Sequence, residues 1–313
     1  MKNLKYLKKF NESLNNIDSI CEKYGIENYT INGDGSIDVV GDVNLIDRGL
    51  SKLPLKFRSV SGYFDCQDNQ LTTLEGAPEF VGGSFYCQHN KLTSLEGAPE
   101  SVSRDFYCYD NQLTSLEYAP RSVGENFSCS NNKLTSLCGA PKSVGVSFYC
   151  KSNQLTTLEG APESVGGGFY CNNNQLTTLE GAPKSVGRSF YCNNNQLTSL
   201  EGAPELVVVD FNCSINKLTT LEGAPKSVGG GFYCFINKLI TLEGAPISVG
   251  GNFYCYGNPV ESIWNLFKDY SKVEILNDYD VIRGDKVILD RLNDFLIYIG
   301  KPPVSKVDGY INI

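Results

Sequence analysis

The fold of this chain is decided by one stretch of sequence, Ser189-Phe190-Tyr191-Cys192-Asn193-Asn194-Asn195-Gln196-Leu197-Thr198-Ser199-Leu200-Glu201-Gly202-Ala203-Pro204, because close copies of it recur every 21 residues. Ten such units run from about residue 61 to about residue 263. A fixed period of this length is typical of repeat proteins, in which each unit stacks on its neighbours. One unit cannot bury its own apolar face, so only the stacked array is stable.

The residues of one unit alternate in a way that predicts its local structure. Residues 190–192 predict a short strand, with Phe190 and Cys192 pointing to the core and the residue between them pointing out. Leu197 and Leu200 return to the core after a turn at Asn195, whose side-chain amide can satisfy backbone groups. Stacked copies of this asparagine therefore predict a buried amide ladder.

The pattern Phe-x-Cys-x-x-Asn-x-Leu-x-x-Leu resembles the core of the leucine-rich-repeat signature, with Phe and Cys in place of two strand leucines. Gly82, Gly124 and Gly166 stand where the family has its first leucine, so the sequence does not define the size of the side opposite the strand. The Leu-Thr-Ser-Leu-x-x-x-Pro tail resembles the short repeats of bacterial type III effector proteins. The resemblance covers about two thirds of the chain. The arrangement of the whole chain also looks like the leucine-rich-repeat proteins of tailed phages.

The resemblance implies an α/β solenoid, a right-handed leucine-rich-repeat superhelix with a parallel β-sheet on its concave side. We expect the repeats to occupy residues 61–263, between an N-terminal cap over 1–60 and a C-terminal helical cap over 264–313. In the N-terminal cap we predict a helix that ends at Gly25, a hairpin around Asp34-Gly35 and a degenerate first repeat.

Apolar residues at helical spacing indicate the two cap helices. The prediction of the first helix is based on Leu4, Leu7, Phe10, Leu14, Ile17 and Cys21. The prediction of the last helix is based on Ile288, Leu292, Phe295, Leu296 and Ile299, with Asp285 as a candidate N-cap and Gly300 at its end.

Charge and hydropathy disfavour several classes of partner. The net charge is -8, whereas nonspecific binding to nucleic acid or anionic membrane requires a basic patch. No segment approaches the roughly 18 apolar residues that span a bilayer. The N-terminal residues alternate charged and apolar types without a continuous apolar run, so we expect no secretory signal and a cytoplasmic protein.

Cysteine spacing argues against disulfides and zinc. Ten of the twelve cysteines follow the repeat period: Cys66, Cys87, Cys108, Cys129, Cys150, Cys171, Cys192, Cys213, Cys234 and Cys255. The chain has no CxxC motif, and one cysteine per unit at one position indicates a buried free thiol that acts as a small apolar side chain. Cys138 lies outside the series and is expected to be exposed, with no function assigned to it.

Catalytic motifs are absent from the sequence. His89 is the single histidine, and the chain has no HExxH motif, no Walker motif and no recognisable triad. We therefore predict a protein that is not an enzyme, with no catalytic residue, no metal and no cofactor.

The outward positions of the strands form three columns of side chains. The tyrosine column holds Tyr86, Tyr107, Tyr149, Tyr170, Tyr191, Tyr233 and Tyr254, and is broken by Ser128 and Asn212. The second column holds Gln67, Gln88, Tyr109, Ser130, Lys151, Asn172, Asn193, Ser214, Phe235 and Tyr256. The third column holds Asp68, His89, Asp110, Asn131, Ser152, Asn173, Asn194, Ile215, Ile236 and Gly257. Stacked tyrosines suit either a binding surface or a ladder that stiffens the sheet.

Departures from the repeat pattern mark two candidate binding sites. The last units carry apolar and aromatic residues on the outward face, and the candidate site there consists of Tyr191, Ile215, Tyr233, Phe235, Ile236, Tyr254 and Tyr256. An alternative is that the C-terminal cap covers these residues through Trp264 or Phe267. The earlier units supply a second candidate set, which could take a basic partner: Asp65, Asp68, Tyr86, Asp105, Tyr107, Asp110, Tyr149 and Tyr170.

A repeat surface without catalytic groups favours a protein-binding module that docks a folded partner. The likeness to phage proteins implies a host protein as the partner, and inhibition of a host defence protein as the outcome. The alternatives are a glycan-binding or adhesion protein and, less favoured, a small-ligand sponge, because an open trough encloses small molecules poorly. The oligomeric state stays open.

Overall fold

The computed structural model describes residues 16–259, 281–283, 286–298, 300–307 and 311–313. Several residues named in the sequence analysis lie outside these ranges: Leu4, Leu7, Phe10, Leu14, Trp264, Phe267, Asp285 and Ile299.

Two compact units make up the chain. The first consists of Met1–Leu155 with Glu159–Gly166, and the second of Thr156–Leu158 with Gly167–Ile313. Each unit contains a β-solenoid, in which every turn adds one strand to each of two parallel sheets. We call these the phenylalanine sheet and the valine sheet, after the residue that most of their strands bury.

The first unit begins, within the described part, with helical residues 16–24. Its valine sheet contains β1 (Tyr29–Ile31), β2 (Ile37–Val39), β4 (Phe57–Val60), β6 (Phe80–Val81), β8 (Ser101–Val102), β10 (Ser122–Val123), β12 (Ser143–Val144) and β14 (Ser164–Val165). Its phenylalanine sheet contains β3 (Val43–Asn44), β5 (Phe64–Asp65), β7 (Phe85–Tyr86), β9 (Phe106–Tyr107), β11 (Phe127–Ser128) and β13 (Phe148–Tyr149). β1 and β2 form the predicted antiparallel hairpin. Parallel pairing starts with β2 on β4, before residue 61, and with β3 on β5.

The second unit repeats this arrangement. Its phenylalanine sheet contains β15 (Phe169–Tyr170), β17 (Phe190–Tyr191), β19 (Phe211–Asn212), β21 (Phe232–Tyr233) and β23 (Phe253–Tyr254). Its valine sheet contains β16 (Ser185–Val186), β18 (Leu206–Val207), β20 (Ser227–Val228) and β22 (Ser248–Val249). After residue 280 the chain forms β24 (Ile282–Arg283), β25 (Lys286–Val287), the helix Leu289–Tyr298 and β26 (Ile311–Asn312). The predicted helix is therefore present, but a small three-stranded sheet accompanies it, which a purely helical cap does not include.

Five side chains per turn fill the interior. In one turn Val186, Phe190, Cys192, Leu197 and Leu200 are each at most 4% exposed, which confirms the predicted inward pattern. The phenylalanine rings stack along each unit, with centroids 5.1–5.6 Å apart in the first and 5.2–5.7 Å apart in the second. Each aromatic pair adds about 0.5–1.5 kcal/mol beyond the burial of its area.

The α/β class needs correction for the repeats, because the described turns contain no helix and the valine sheet forms the side opposite the phenylalanine sheet. At Gly124 and Gly145 an added Cβ would lie 2.0 and 1.9 Å from a carbonyl oxygen of the preceding turn. A leucine at either of these two glycines would therefore collide with the backbone of the preceding turn. Val123 and Val144, one place earlier, bury their side chains instead.

The predicted asparagine ladder is present and joins neighbouring turns. The Asn132 amide nitrogen donates to the carbonyl oxygens of Cys129, at 3.0 Å, and Cys108 in the preceding turn, at 3.1 Å. Its Oδ1 accepts the N–H of Leu113, at 2.9 Å. One side chain thus joins backbone groups of two adjacent turns and is the partner of the buried N–H of Leu113.

Candidate functional site

The outward face of the phenylalanine sheet carries the predicted tyrosine column. Tyr86 and Tyr107 have ring centroids 5.4 Å apart in the first unit, and Tyr170 and Tyr191 lie 5.3 Å apart in the second. These four rings are half-buried. The tyrosines therefore form cross-strand pairs and still present ring area to solvent.

The last turns gather the apolar residues that the sequence singled out. We call this set the isoleucine patch, and it consists of Ile215, Tyr233, Phe235, Ile236, Tyr254 and Tyr256. Phe235 and Tyr256 stack face to face, with centroids 4.7 Å apart. Ile215, Ile236 and Tyr256 are 41%, 49% and 53% exposed. The patch thus combines two stacked aromatic pairs, Phe235 with Tyr256 and Tyr233 with Tyr254, and two exposed isoleucines in the second unit.

The two isoleucines of the patch have a backbone conformation that isoleucine rarely adopts. Their φ angles are 56° at Ile215 and 52° at Ile236, in the left-handed region. Other turns place Asp, Asn, His, Ser or Gly at this position, and Asn173 and Asn194 have similar φ angles of 59° and 55°. A left-handed backbone costs an L-residue roughly 1–2 kcal/mol, and a β-branched residue is a clear outlier there. The fold therefore disfavours isoleucine at both positions.

Tyr191, also predicted as a binding residue, is engaged within the sheet. Its hydroxyl donates to Oδ2 of Asp210 at 3.3 Å, and Oδ1 of Asp210 accepts the N–H of Gly231 at 2.8 Å. Burial and the charge of Asp210 raise the pKa of Tyr191 to about 12. Sequence reasoning did not single out Asp210, although only Asp105 and Asp210 are acidic among the ten residues that precede the repeat phenylalanines.

Two of the four predicted acidic residues, Asp65 and Asp105, make hydrogen bonds within the fold. Asp65 is 6% exposed and accepts the N–H of Gln67 at 3.1 Å. Burial raises the pKa of Asp65 to about 6. Asp105 accepts hydrogen bonds from the backbone N–H and the side-chain amide of Asn126, at 3.1 and 2.9 Å.

The other two acidic residues lie nearer to solvent. Asp68 is exposed, and Asp110 is half-buried with its Oδ2 3.5 Å from Nδ1 of His89. The His89 ring in turn meets Tyr109 edge-on, with centroids 5.2 Å apart. His89 thus belongs to a surface cluster of aromatic and acidic side chains.

A depression of about 350 Å³ opens where Ser128 interrupts the tyrosine column. Ser128 and Ser130 form its floor; they are 7% and 3% exposed, and their Oγ atoms lie 3.4 Å apart. We call this depression the serine notch, and its other lining residues are Tyr107, Tyr109, Asp110, Asn131, Tyr149 and Lys151. It brings together three predicted residues, Tyr107, Asp110 and Tyr149. The sequence shows the break in the column but not that a cavity opens there.

The cysteines occupy the positions expected of free thiols. Eleven of the twelve are buried, and Cys138 is exposed. Burial raises the pKa of the ladder thiols, for example Cys87 and Cys192, well above its usual range. The ladder cysteines are therefore poor nucleophiles in the folded chain.

In the described residues, no group of three or more His, Cys, Asp or Glu side chains is arranged to hold a metal ion. None of the helices in the same part of the chain has the length and apolar character to cross a bilayer.

Comparison with solved structures identifies the fold. YopM from Yersinia enterocolitica WA-314 is similar to this chain with a TM-score of 0.55 and 23% identity, over 71% of this chain and 48% of that chain. The match thus spans about half the length of that structure. YopM from Yersinia pestis, described as a leucine-rich effector protein, has a TM-score of 0.39 and 20% identity, over 69% of this chain and 77% of that chain. No protein-family model and no curated protein matches the sequence. At this identity, the first likeness shows a leucine-rich-repeat fold.

Proposed function

We propose that this chain is a protein-binding module that docks a folded partner on the outward face of its phenylalanine sheet, with the isoleucine patch as the main contact. The observation that carries the proposal is the pair of exposed isoleucines in left-handed backbone. Isoleucine at these positions lowers stability and adds apolar surface, and a partner that buries both side chains offsets the two costs.

The fold supports this function. Stacked repeats present an extended, regular surface whose outward side chains vary from turn to turn, and such surfaces serve as binding platforms. Tyrosine and phenylalanine supply large contact area with few rotatable bonds. A narrower hypothesis is that the chain is a phage-encoded inhibitor and that its partner is a host protein, such as a defence protein.

A tagged pull-down from a bacterial lysate, read by mass spectrometry, tests the proposal. The variant carries Ile215→Asn, Phe235→Asn and Ile236→Asn, because the corresponding positions of earlier turns hold asparagine and the fold accepts it there. Ile247→Asn is the matched control, because Ile247 is also exposed, at 56%, but lies outside the patch. Circular dichroism checks that both variants are folded.

We expect a protein that the wild type and the Ile247→Asn control capture and the triple variant loses. Equal capture by all three proteins contradicts the isoleucine patch as the contact. If the wild type captures no saturable protein partner, the protein-binding function itself is wrong, and a glycan array becomes the next measurement.

A further inference from the structure

The serine notch is a gap of one ring in the tyrosine column of the first unit. We propose that it receives one aromatic side chain with a polar tip, a tyrosine, from the bound protein. This inference rests on the proposed protein-binding function and adds a specificity subsite to it, outside the isoleucine patch.

The spacing of the strands sets the width of the notch. Ser128 pairs with Tyr107 on one side and with Tyr149 on the other. The N–H of Cys108 donates to the carbonyl oxygen of Ser128, and the N–H of Cys129 donates to that of Tyr149, both at 2.9 Å. Tyr107 and Tyr149 therefore lie two strand spacings apart, which is about 9.6 Å.

That width matches one inserted ring. Where this column is complete, neighbouring rings lie 5.3–5.4 Å apart, so a ring halfway between Tyr107 and Tyr149 would contact both. A closed cavity of about 150 Å³ already holds benzene, and the notch offers about 350 Å³. An aromatic side chain from a partner would thus complete the stack that Ser128 interrupts.

The charges around the notch favour a neutral occupant. Its lining carries one acidic residue, Asp110, and one basic residue, Lys151, so the net charge is zero. Burial raises the pKa of Tyr107 to about 12 and also raises that of Tyr109, so these two lining tyrosines stay uncharged at physiological pH. An arginine would gain from Asp110 but would meet the repulsion of Lys151.

The floor of the notch favours a polar tip on the ring. Ser128 and Ser130 are almost fully buried, and the Ser128 hydroxyl donates to Oγ of Ser130 at 3.4 Å, which leaves the Ser130 hydroxyl as the donor to a ligand. Each hydroxyl can donate one hydrogen bond and accept two, so together they can pair with a phenolic hydroxyl that reaches them. Tyrosine combines the ring that the walls accept with the hydroxyl that the floor can bind.

Panning a displayed random peptide library on the immobilised full chain tests the inference. Ser128→Tyr fills the notch with the ring that seven other turns carry at this position, so we expect the variant to fold. Asn212→Tyr is the matched control, because it adds the same ring at the other break of the column, in the second unit. Urea unfolding checks that both variants retain at least wild-type stability.

We expect the peptides recovered on the wild type to share a tyrosine. Their affinity should fall at least tenfold on Ser128→Tyr and stay unchanged on Asn212→Tyr. Replacing the shared tyrosine of a peptide by alanine should cause the same loss on the wild type.

Several outcomes overturn the inference. They are the recovery of no peptide, peptides without a shared aromatic residue, and equal binding to Ser128→Tyr. Glycan binding that only Ser128→Tyr loses would assign a sugar ring to the notch instead. If Ser128→Tyr still captures the pull-down partner that the triple variant loses, the protein-binding function stands and the notch has no part in it. If the wild type captures no partner, the protein-binding function fails first.

Discussion

At the scale of single residues, backbone strain is concentrated at a few exposed side chains. Ile215 and Ile236 lie in left-handed backbone, and so does Tyr118, with a φ of 67° and 62% exposure. Eight other turns place glycine where Tyr118 stands, with φ between 81° and 90°. These substitutions oppose the local preference of the chain, and such conflicts are expected at functional positions.

Replacing Ile215 and Ile236 by asparagine should raise the free energy of unfolding by about 1 kcal/mol per site, because asparagine tolerates left-handed backbone. Urea unfolding measures the change. Ile247→Asn is the control, since Ile247 has ordinary backbone, and we expect its effect to stay within about 0.5 kcal/mol. A large loss of stability in the double variant would mean that another part of the chain packs on the two isoleucines.

Asp65 should make stability depend on pH. Its pKa rises from an ordinary value of about 3.9 to about 6 on folding, so the folded state binds the proton more tightly. The contribution of Asp65 is therefore fully present below about pH 4 and is lost as pH rises through about 6.

Asp65→Asn should remove this dependence and raise the free energy of unfolding at pH 7 by about 1–3 kcal/mol. Urea midpoints of wild type and variant at pH 5 and pH 7.5 measure it. Asp47→Asn, at an exposed aspartate, is the control that should keep the wild-type slope. A wild-type slope in Asp65→Asn would assign the pH dependence to other groups.

At the scale of elements, the strands are too short to stand alone. Most strands of the two sheets have two residues, so each relies on hydrogen bonds to the turns before and after it. The asparagine ladder supplies the same kind of link from side chains. The element that stabilises the array is therefore the pair of adjacent turns rather than the strand.

Asn132→Ala should lower the free energy of unfolding by about 2–4 kcal/mol, because it leaves the buried N–H of Leu113 without its partner. It also removes one of the two asparagine donors to each of the carbonyl oxygens of Cys108 and Cys129. The control is Asn131→Gly, at the exposed neighbour with a φ of 53°, where glycine keeps the backbone unstrained. Urea unfolding of both variants separates the buried amide from its surface neighbour. Equal midpoints would contradict a structural role for the ladder.

At the scale of the whole molecule, the cysteines report on folding. A maleimide should label only Cys138 in the native protein and all twelve thiols in denaturant, because burial shields the other eleven. Intact-mass spectrometry counts the adducts, and Cys138→Ser should reduce native labelling to none. Rapid native labelling of several thiols would mean that the turns open readily.

The sequence by itself determined the stacked architecture. The sequence predicts a repeat array from its 21-residue period, and it predicts which residues point inward from the alternation around Phe190 and Cys192 and from the asparagine at Asn195. The structure confirms these inward residues. The sequence could predict the interior because each feature depends on local alternation and on repetition, and both are visible along the chain. The same reading placed the isoleucine patch on the outward face.

Only the tertiary structure decided what depends on distances between turns. The valine sheet corrects the expected α/β class, and it forms by parallel pairing between strands of successive turns, which no single repeat reveals. The serine notch exists because Tyr107 and Tyr149, 42 positions apart in the sequence, flank Ser128 across paired strands. The strain at Ile215 and Ile236 likewise comes from a turn geometry that the stack imposes on every repeat, whichever residue stands there.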